Sequence, residues 1–250
     1  MDLFPEIKKR GFDVRYTYHA DAIVGGHFPD AARELDAIFS CIRIPILELV
    51  HGGGGEAKLT QRLRKELADA GWKERKFEIE KKIDETVTYS SSHKVDHVKY
   101  FHDKAIAAEI EWNNKDPFFD RDLENFYRLH QDGAISCGLV ITRGSTFQRQ
   151  IESRLRDFAY NNDINDISAL SRLGINLTRR QLLTINLAIG GTLRQSENNF
   201  AMAWARAFKG DKFGASTTNW EKLEDRLERG VGSPCPLIAI GIPITCVTDT

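Results

Sequence analysis

Little in this chain advertises a chemistry at first reading. Its four cysteines, Cys41, Cys137, Cys235 and Cys246, stand singly and far apart, which excludes the paired spacing of a zinc site and the dense framework of a disulfide scaffold. Three of them lie in apolar, strand-like surroundings, so buried thiols are expected. No apolar run is long enough to span a membrane, and Met1-Asp2-Leu3-Phe4-Pro5 lacks the basic region and apolar core of a secretory signal. The expectation is a soluble, cytoplasmic protein. Residues 52–55 are all glycine and precede a helix, a setting that can cradle phosphate. The Lys-Ser/Thr ending of a nucleotide-binding loop is missing, which argues against nucleoside triphosphates.

What is present is the pattern of one α/β domain over residues 1–250. The chain has 250 residues, 41% hydrophobic and 28% charged, enough for one well-buried core with an elaboration. Val14, Tyr16 and Tyr18 alternate with polar residues as an edge strand does, and Asp30 precedes a helix with Ala31, Leu35, Ile38 and Phe39 inward. Leu59, Leu63 and Leu67 repeat every fourth residue in a helix over 56–70 that Gly71 stops. Strands follow at Phe77 and Ile79, then over 86–89, 94–98 and 105–112. Asp120 reads as the N-cap of a helix facing inward through Leu123, Phe126, Tyr127 and Leu129. After a strand at 135–141, Ser145-Thr146-Phe147-Gln148 reads as a capping box that opens the next helix. Residues 161–208 are helical in composition, 209–219 form a polar loop, a helix ends at Gly230, and 237–242 is a last buried strand. The order predicts a central mixed β-sheet flanked by helices, with an inserted helical subdomain at 161–208.

The chemistry-bearing residues cluster in one place. Glu109 and Glu111 sit two apart on an apolar strand and share a face, on the order of 7 Å apart at their origins. Asp96, in His93-Lys94-Val95-Asp96, ends another short strand just upstream. Three acids converging at a sheet edge suit a divalent metal. An isolated Glu-x-Glu is usually a solvated strand face; the block Trp112-Asn113-Asn114-Lys115-Asp116 and the upstream acid set this pair apart. Asp103 competes with Asp96, being nearer to Glu109 in sequence, but His102-Asp103-Lys104 reads as a solvent-facing turn, which favours Asp96. Glu56 and Glu80 are possible outer acids with nothing to choose between them. His93, His97 and His102 fit no helix-face metal pair, so packing or a nucleic-acid contact suits them better.

These blocks, with Phe119-Asp120-Arg121-Asp122-Leu123 and the later Phe213-Gly214-Ala215-Ser216-Thr217-Thr218, Trp220-Glu221-Lys222-Leu223 and Cys235-Pro236, resemble the BglII-like group of type II restriction endonucleases, relatives of BamHI. That group belongs to the PD-(D/E)xK superfamily of metal-dependent nucleases. The resemblance implies a Mg²⁺-dependent phosphodiester hydrolase, with Mn²⁺ able to substitute, acting on double-stranded DNA. It implies Asp96 and Glu109 as metal ligands, the carbonyl of Ile110 as a third, and Glu111 in the place of the superfamily's lysine. There it would orient and deprotonate water or hold a second metal. It further implies a bacterial or archaeal restriction-modification system in which a cognate DNA methyltransferase protects the host, and a short palindromic site cut to leave 5′ overhangs. A palindrome favours a two-fold homodimer.

A net charge of −1 gives no overall basic field. A DNA enzyme can still be neutral if its acids gather at the metals while its bases line one cleft. Lys115 follows the acids closely enough to touch a phosphate. Asn113 and Asn114 suit the DNA backbone or shape the turn before Pro117. Arg143, Lys212, Ser216, Thr217, Thr218 and Asn219 are groove candidates, although Thr218 and Asn219 would serve equally as helix caps. Arg172, Arg179, Arg180 and Arg194 suit phosphates or a solvated helix face. Two other classes use the same residues: an inverting glycosidase with Glu109 and Glu111 as acid and base, and a catalytically silent DNA-binding module.

Overall fold

The computed structural model describes residues 2–51, 55–190 and 198–249. Eight strands occur among them: β1 (Asp13–Thr17), β2 (Ile44–Pro45), β3 (Lys73–Ile83), β4 (Thr86–Phe101), β5 (Lys104–Glu111), β6 (Cys137–Arg143), β7 (Leu237–Ile242) and β8 (Val247–Thr248). Six form a mixed sheet in the order β1–β7–β6–β5–β4–β3, while β2 and β8 make a separate parallel pair. β5, β6 and β7 run parallel, and β1, β4 and β3 are antiparallel to their neighbours. β6 and β7 are buried at every position, the continuous apolar pattern of strands covered on both faces. The predicted mixed sheet flanked by helices is the observed fold.

Alternation in β5 divides the core. Ile106, Ala108, Ile110 and Trp112 face one apolar layer, with Trp112 edge-on to Phe147 at 5.1 Å. Ala105 and Ala107 face the other, under Phe119, Leu123 and Phe126 of the helix Phe118–Gln131. Glu109 and Glu111 continue this second face beyond the apolar cover. The helix lies close because β6 presents Gly138 there: a Cβ at that position would stand 2.6 Å from the Phe126 ring.

β3 and β4 form one long hairpin turned by Asp84 and Glu85, both at positive φ. The two short strands expected at 86–89 and 94–98 are parts of the single sixteen-residue β4. Two expected caps are corrected. The helix begins at Phe118, so Asp120 lies inside its first turn, bound to Arg226, and is not the N-cap. Ser145 makes no capping box. Its N–H and hydroxyl donate to Asp13 of β1 at 2.7 and 2.9 Å, so a distant carboxylate serves the N-terminus of the helix Ser145–Asn161.

Residues 161–208 contain the helices Ile167–Arg172 and Arg179–Gly190 and most of Asn198–Lys212. Their Leu170, Ile185, Trp204 and Phe208 join the same core layer as Phe147 and Phe158. Gly52, Gly53 and Gly54, and Arg194, lie outside the described residues.

Candidate active site

A β-bulge aims the first acid. Val95 and Val98 of β4 pair with Arg75 and Lys73, so Asp96 and His97 together stand opposite Glu74 alone. The extra residue brings Val95 and Val98 onto the same apolar layer, and such bulges recur beside active sites, where they re-aim a side chain. The backbone N–H of Asp96 donates to Glu109 Oε1 at 3.3 Å, which ties the two strands together at the acids. Asp103 lies on the turn joining β4 to β5, with its side chain 82% exposed and near Lys104. It does not reach the cleft that Asp96 lines.

That cleft encloses about 850 Å³ between the β3–β4 hairpin, the end of β5 and two helices. Asp96, Glu109, Ile110 and Glu111 line it, with Asn113, Asn114 and Arg121 on one side and Glu56, Arg64 and Lys94 on the other. Glu56 is thus the outer acid that reaches the site. Glu80 lies out on the hairpin beside Lys82.

The two glutamates are unusual for their burial. Glu109 is 7% exposed and Glu111 2%. Burial, aided by the nearby Asp122 and Asp96, pushes the Glu109 carboxyl up to about 8. Glu111 is also pushed up, first by burial and then by its hydrogen bond to Asp122, while the Asn114 side chain opposes the shift. The Glu111 main chain is fixed as firmly: its carbonyl accepts from the hydroxyls of Thr142 (2.8 Å) and Thr218 (3.0 Å). Asp96 is half exposed and ion-paired to Arg64 at 3.5 Å, and Arg64 also holds Glu56 at 2.9 Å.

Asp122 joins the acids without belonging to any acidic motif of the strands. It belongs to the Phe118–Gln131 helix, is 2% exposed, and accepts from Arg121 Nε at 2.8 Å, with Arg121 Nη2 2.7 Å away. Arg121 Nη2 also lies 3.8 Å from Glu111. A signal existed, because residues 119, 122, 126 and 129 share one helical face and an acid stands among three apolar side chains there. His93 and His97 are buried beside the acids. His93 Nδ1 meets Asn125 Oδ1 at 3.0 Å, while neither ring nitrogen of His97 has a partner among the described residues. Burial pushes the His97 imidazole below its ordinary value.

The groove candidates separate into two groups. Asn113 and Asn114 line the cleft, and Lys115 and Ser216 are exposed just outside it. Lys212 is half-buried at the end of the Asn198–Lys212 helix, away from the cleft. Arg143, Thr217, Thr218 and Asn219 are occupied structurally. Arg143 is fully buried over the Phe213 ring, with its centre 4.7 Å from the centroid, donating to Thr218 O at 3.1 Å and to Thr217 Oγ1 at 2.7 Å. Burial lowers its guanidinium to about 9. Thr218 holds Glu111, and Asn219 caps the helix Trp220–Glu228 by accepting from the Lys222 N–H at 3.1 Å. Arg143 and Thr218 thus support the loop, and Asn219 takes the cap role that its sequence also allowed. That loop in turn clamps 114–116, through Thr218 N to Asn114 O (2.9 Å) and Asp116 N to Ser216 O (3.0 Å). Arg226 pins Asp116 and Asp120 from the next helix.

Among the described residues, no three side chains of the His, Cys, Asp or Glu type close around one point. The donor set is nevertheless chemically coherent. Asp96, Glu109 and Glu111 offer only oxygen, two of them buried without a full counter-charge, and Glu111 Oε2 has no donor among the described residues. Such a set fits a hard divalent cation.

No curated protein matches the chain by sequence. The family model described as "Restriction endonuclease BglII/BglIII" matches residues 12–242, a span that holds the sheet, both glutamates, Asp96 and the clamping loop. The chain belongs to the BglII/BglIII restriction endonuclease family, and it is a type II restriction endonuclease, a site-specific deoxyribonuclease acting on double-stranded DNA.

Proposed function

We propose that the enzyme is Mg²⁺-dependent, with Asp96, Glu109 and the carbonyl of Ile110 as ligands and Glu111 acting on the attacking water. One observation carries this reading: two carboxyls lie buried at the cleft edge, next to Asp96, with their protons retained by burial. A cation there would polarise the scissile phosphate and lower the pKa of the water it binds. Asp96 must leave Arg64 to join the set, and Glu109 must give up its proton. Glu111 must likewise be ionised before it acts; held by Asn114 and by the two threonine hydroxyls on its carbonyl, its carboxylate would then take the proton from the water. Mn²⁺ would substitute, since it accepts the same oxygen ligands.

Arg64, Lys94, Asn113 and Asn114 on the cleft walls, with Lys115, Lys212 and Ser216 outside, would meet the DNA. The exposed Arg172, Arg179 and Arg180 would add phosphate contacts. A two-fold homodimer with one cleft per strand would cut a palindrome and leave 5′ overhangs. The enzyme would work in a bacterial or archaeal cytoplasm, where a cognate methyltransferase protects the host DNA. A glycosidase would leave Asp96 idle and would want more exposed aromatics than Trp112 and Phe118 supply at this cleft.

The test is plasmid DNA lacking methylation, incubated with Mg²⁺ or with a chelator. Discrete fragments with mapped 5′ overhangs in Mg²⁺ and intact plasmid in chelator are expected. Equal cleavage in both, or smearing without discrete fragments, would overturn the reading.

A further inference from the structure

We propose that Asp122 is a positioning residue of the reaction centre, fixing the Glu111 carboxyl on one side and the Arg121 guanidinium on the other. The proposal rests on the hydrolytic reading above. Asp122 itself does not line the cleft, whereas Glu111 and Arg121 both do; any influence it has on substrate passes through them.

The energetic placement of Asp122 is unfavourable as architecture. A carboxyl 2% exposed stands beside a second carboxyl 2% exposed, on a helix face otherwise made of Phe119, Leu123, Phe126 and Leu129. Burying like-charged groups together is destabilising unless hydrogen bonds compensate. Arg121 compensates only one edge, through Asp122 Oδ1. Asp122 Oδ2 and Glu111 Oε2 have no donor among the described residues, and the two carboxyls are hydrogen-bonding neighbours of each other. An acid kept for packing alone would have its oxygens satisfied. Here the second edge is met only by Glu111, the residue that handles the water.

The surroundings make this contact rigid. Arg121 is 54% exposed, yet it is held by Asp122 and stacked 4.3 Å from the Phe118 ring centroid. The helix is seated by Gly138 beneath Phe126, and its first turn is pinned by Arg226 on Asp120. Asn114 is a second side-chain partner of Glu111. Without Asp122, Glu111 would lose a hydrogen-bonding partner and Arg121 its only hydrogen-bonded anchor in the described structure.

The experiment compares wild type, Asp122→Ala and Asp122→Asn. It uses a duplex carrying the site mapped from plasmid ends, and reads three quantities for each protein: single-turnover cleavage in Mg²⁺, duplex affinity in Ca²⁺, and Mn²⁺ affinity by calorimetry without DNA. Asp122→Ala should slow cleavage about 10–100-fold and weaken Mn²⁺ binding by about tenfold, the usual range for residues that orient a metal site's ligands. Duplex affinity should stay close to wild type and Tm should not fall, since the variant removes one buried carboxyl from beside another. Asp122→Asn keeps the shape and can donate to Glu111, so it should recover much of the rate. A wild-type rate and Mn²⁺ affinity in Asp122→Ala would overturn the proposal. So would rate losses in both variants that simply follow loss of folded protein. A wild type that cleaves nothing would instead defeat the hydrolytic reading, which separates the two failures.

Discussion

Replacing Glu109 with Gln should stabilise the metal-free protein, and by an amount that grows with pH. The carboxyl moves from its ordinary 4.5 to about 8 because folding buries it near Asp122 and Asp96. Below 4.5 the proton is bound in both the folded and unfolded chains, and the group costs nothing. Above 4.5 the unfolded chain releases its proton while the folded chain retains it, so stability is lost as pH rises through about 8. Gln has the same shape and cannot ionise, so Glu109→Gln escapes this loss. At about 1.4 kcal/mol for each pH interval of one, the advantage of the variant is below about 1 kcal/mol at pH 5 and about 3 kcal/mol at pH 7. In a chain of this size that is on the order of 10 °C in Tm near neutrality. The assay is denaturant unfolding of both proteins in chelator from pH 5 to 8. Parallel stability curves, or a variant less stable at pH 7 than at pH 5 relative to wild type, would refute the burial argument. Adding Mg²⁺ should narrow the gap, because a cation that binds the ionised carboxylate stabilises only the wild type.

Arg143→Ala should lower stability by about 2–4 kcal/mol, through the cavity left under Phe213 and the lost bonds to Thr217 and Thr218. Duplex affinity measured on the folded fraction should be nearly unchanged; a large affinity loss with normal Tm would instead return Arg143 to the groove. Changing Arg172, Arg179 and Arg180 together to Gln should weaken duplex binding and flatten the slope of log affinity against log salt by up to about 3, at about 0.9 for each lost phosphate contact. An unchanged slope would remove these residues from the DNA interface.

The catalytic strand was legible because its signal is local. Period-two alternation in β5 fixes which side chains share a face, and that alone places Glu109 and Glu111 together. Asp96 was legible as a residue but not as a geometry, because the bulge that aims it is a property of the pairing with β3. The failures share a cause. Ser145 carries the sequence of a capping box, but Asp13, 132 residues away, takes its donors first. Arg143 carries no local sign of the 213–218 loop that closes over it, whereas Asn219 caps its helix as the sequence allowed. Asp122 was hidden differently: its helix face was readable, yet only the sheet beneath shows that the face ends on Glu111.

The most direct test of the account is cleavage by Asp96→Ala, Glu109→Ala and Asp103→Ala, measured in single turnover with Mg²⁺ beside duplex affinity in Ca²⁺. Asp96 lines the cleft at the bulge and contacts Glu109 through its backbone, whereas the Asp103 side chain is 82% exposed on the far turn. The account predicts that Asp96→Ala and Glu109→Ala stop cleavage while DNA binding persists or tightens, since removing an acid near the phosphates lessens repulsion, and that Asp103→Ala cuts at the wild-type rate. An inactive Asp103→Ala alongside an active Asp96→Ala would contradict it.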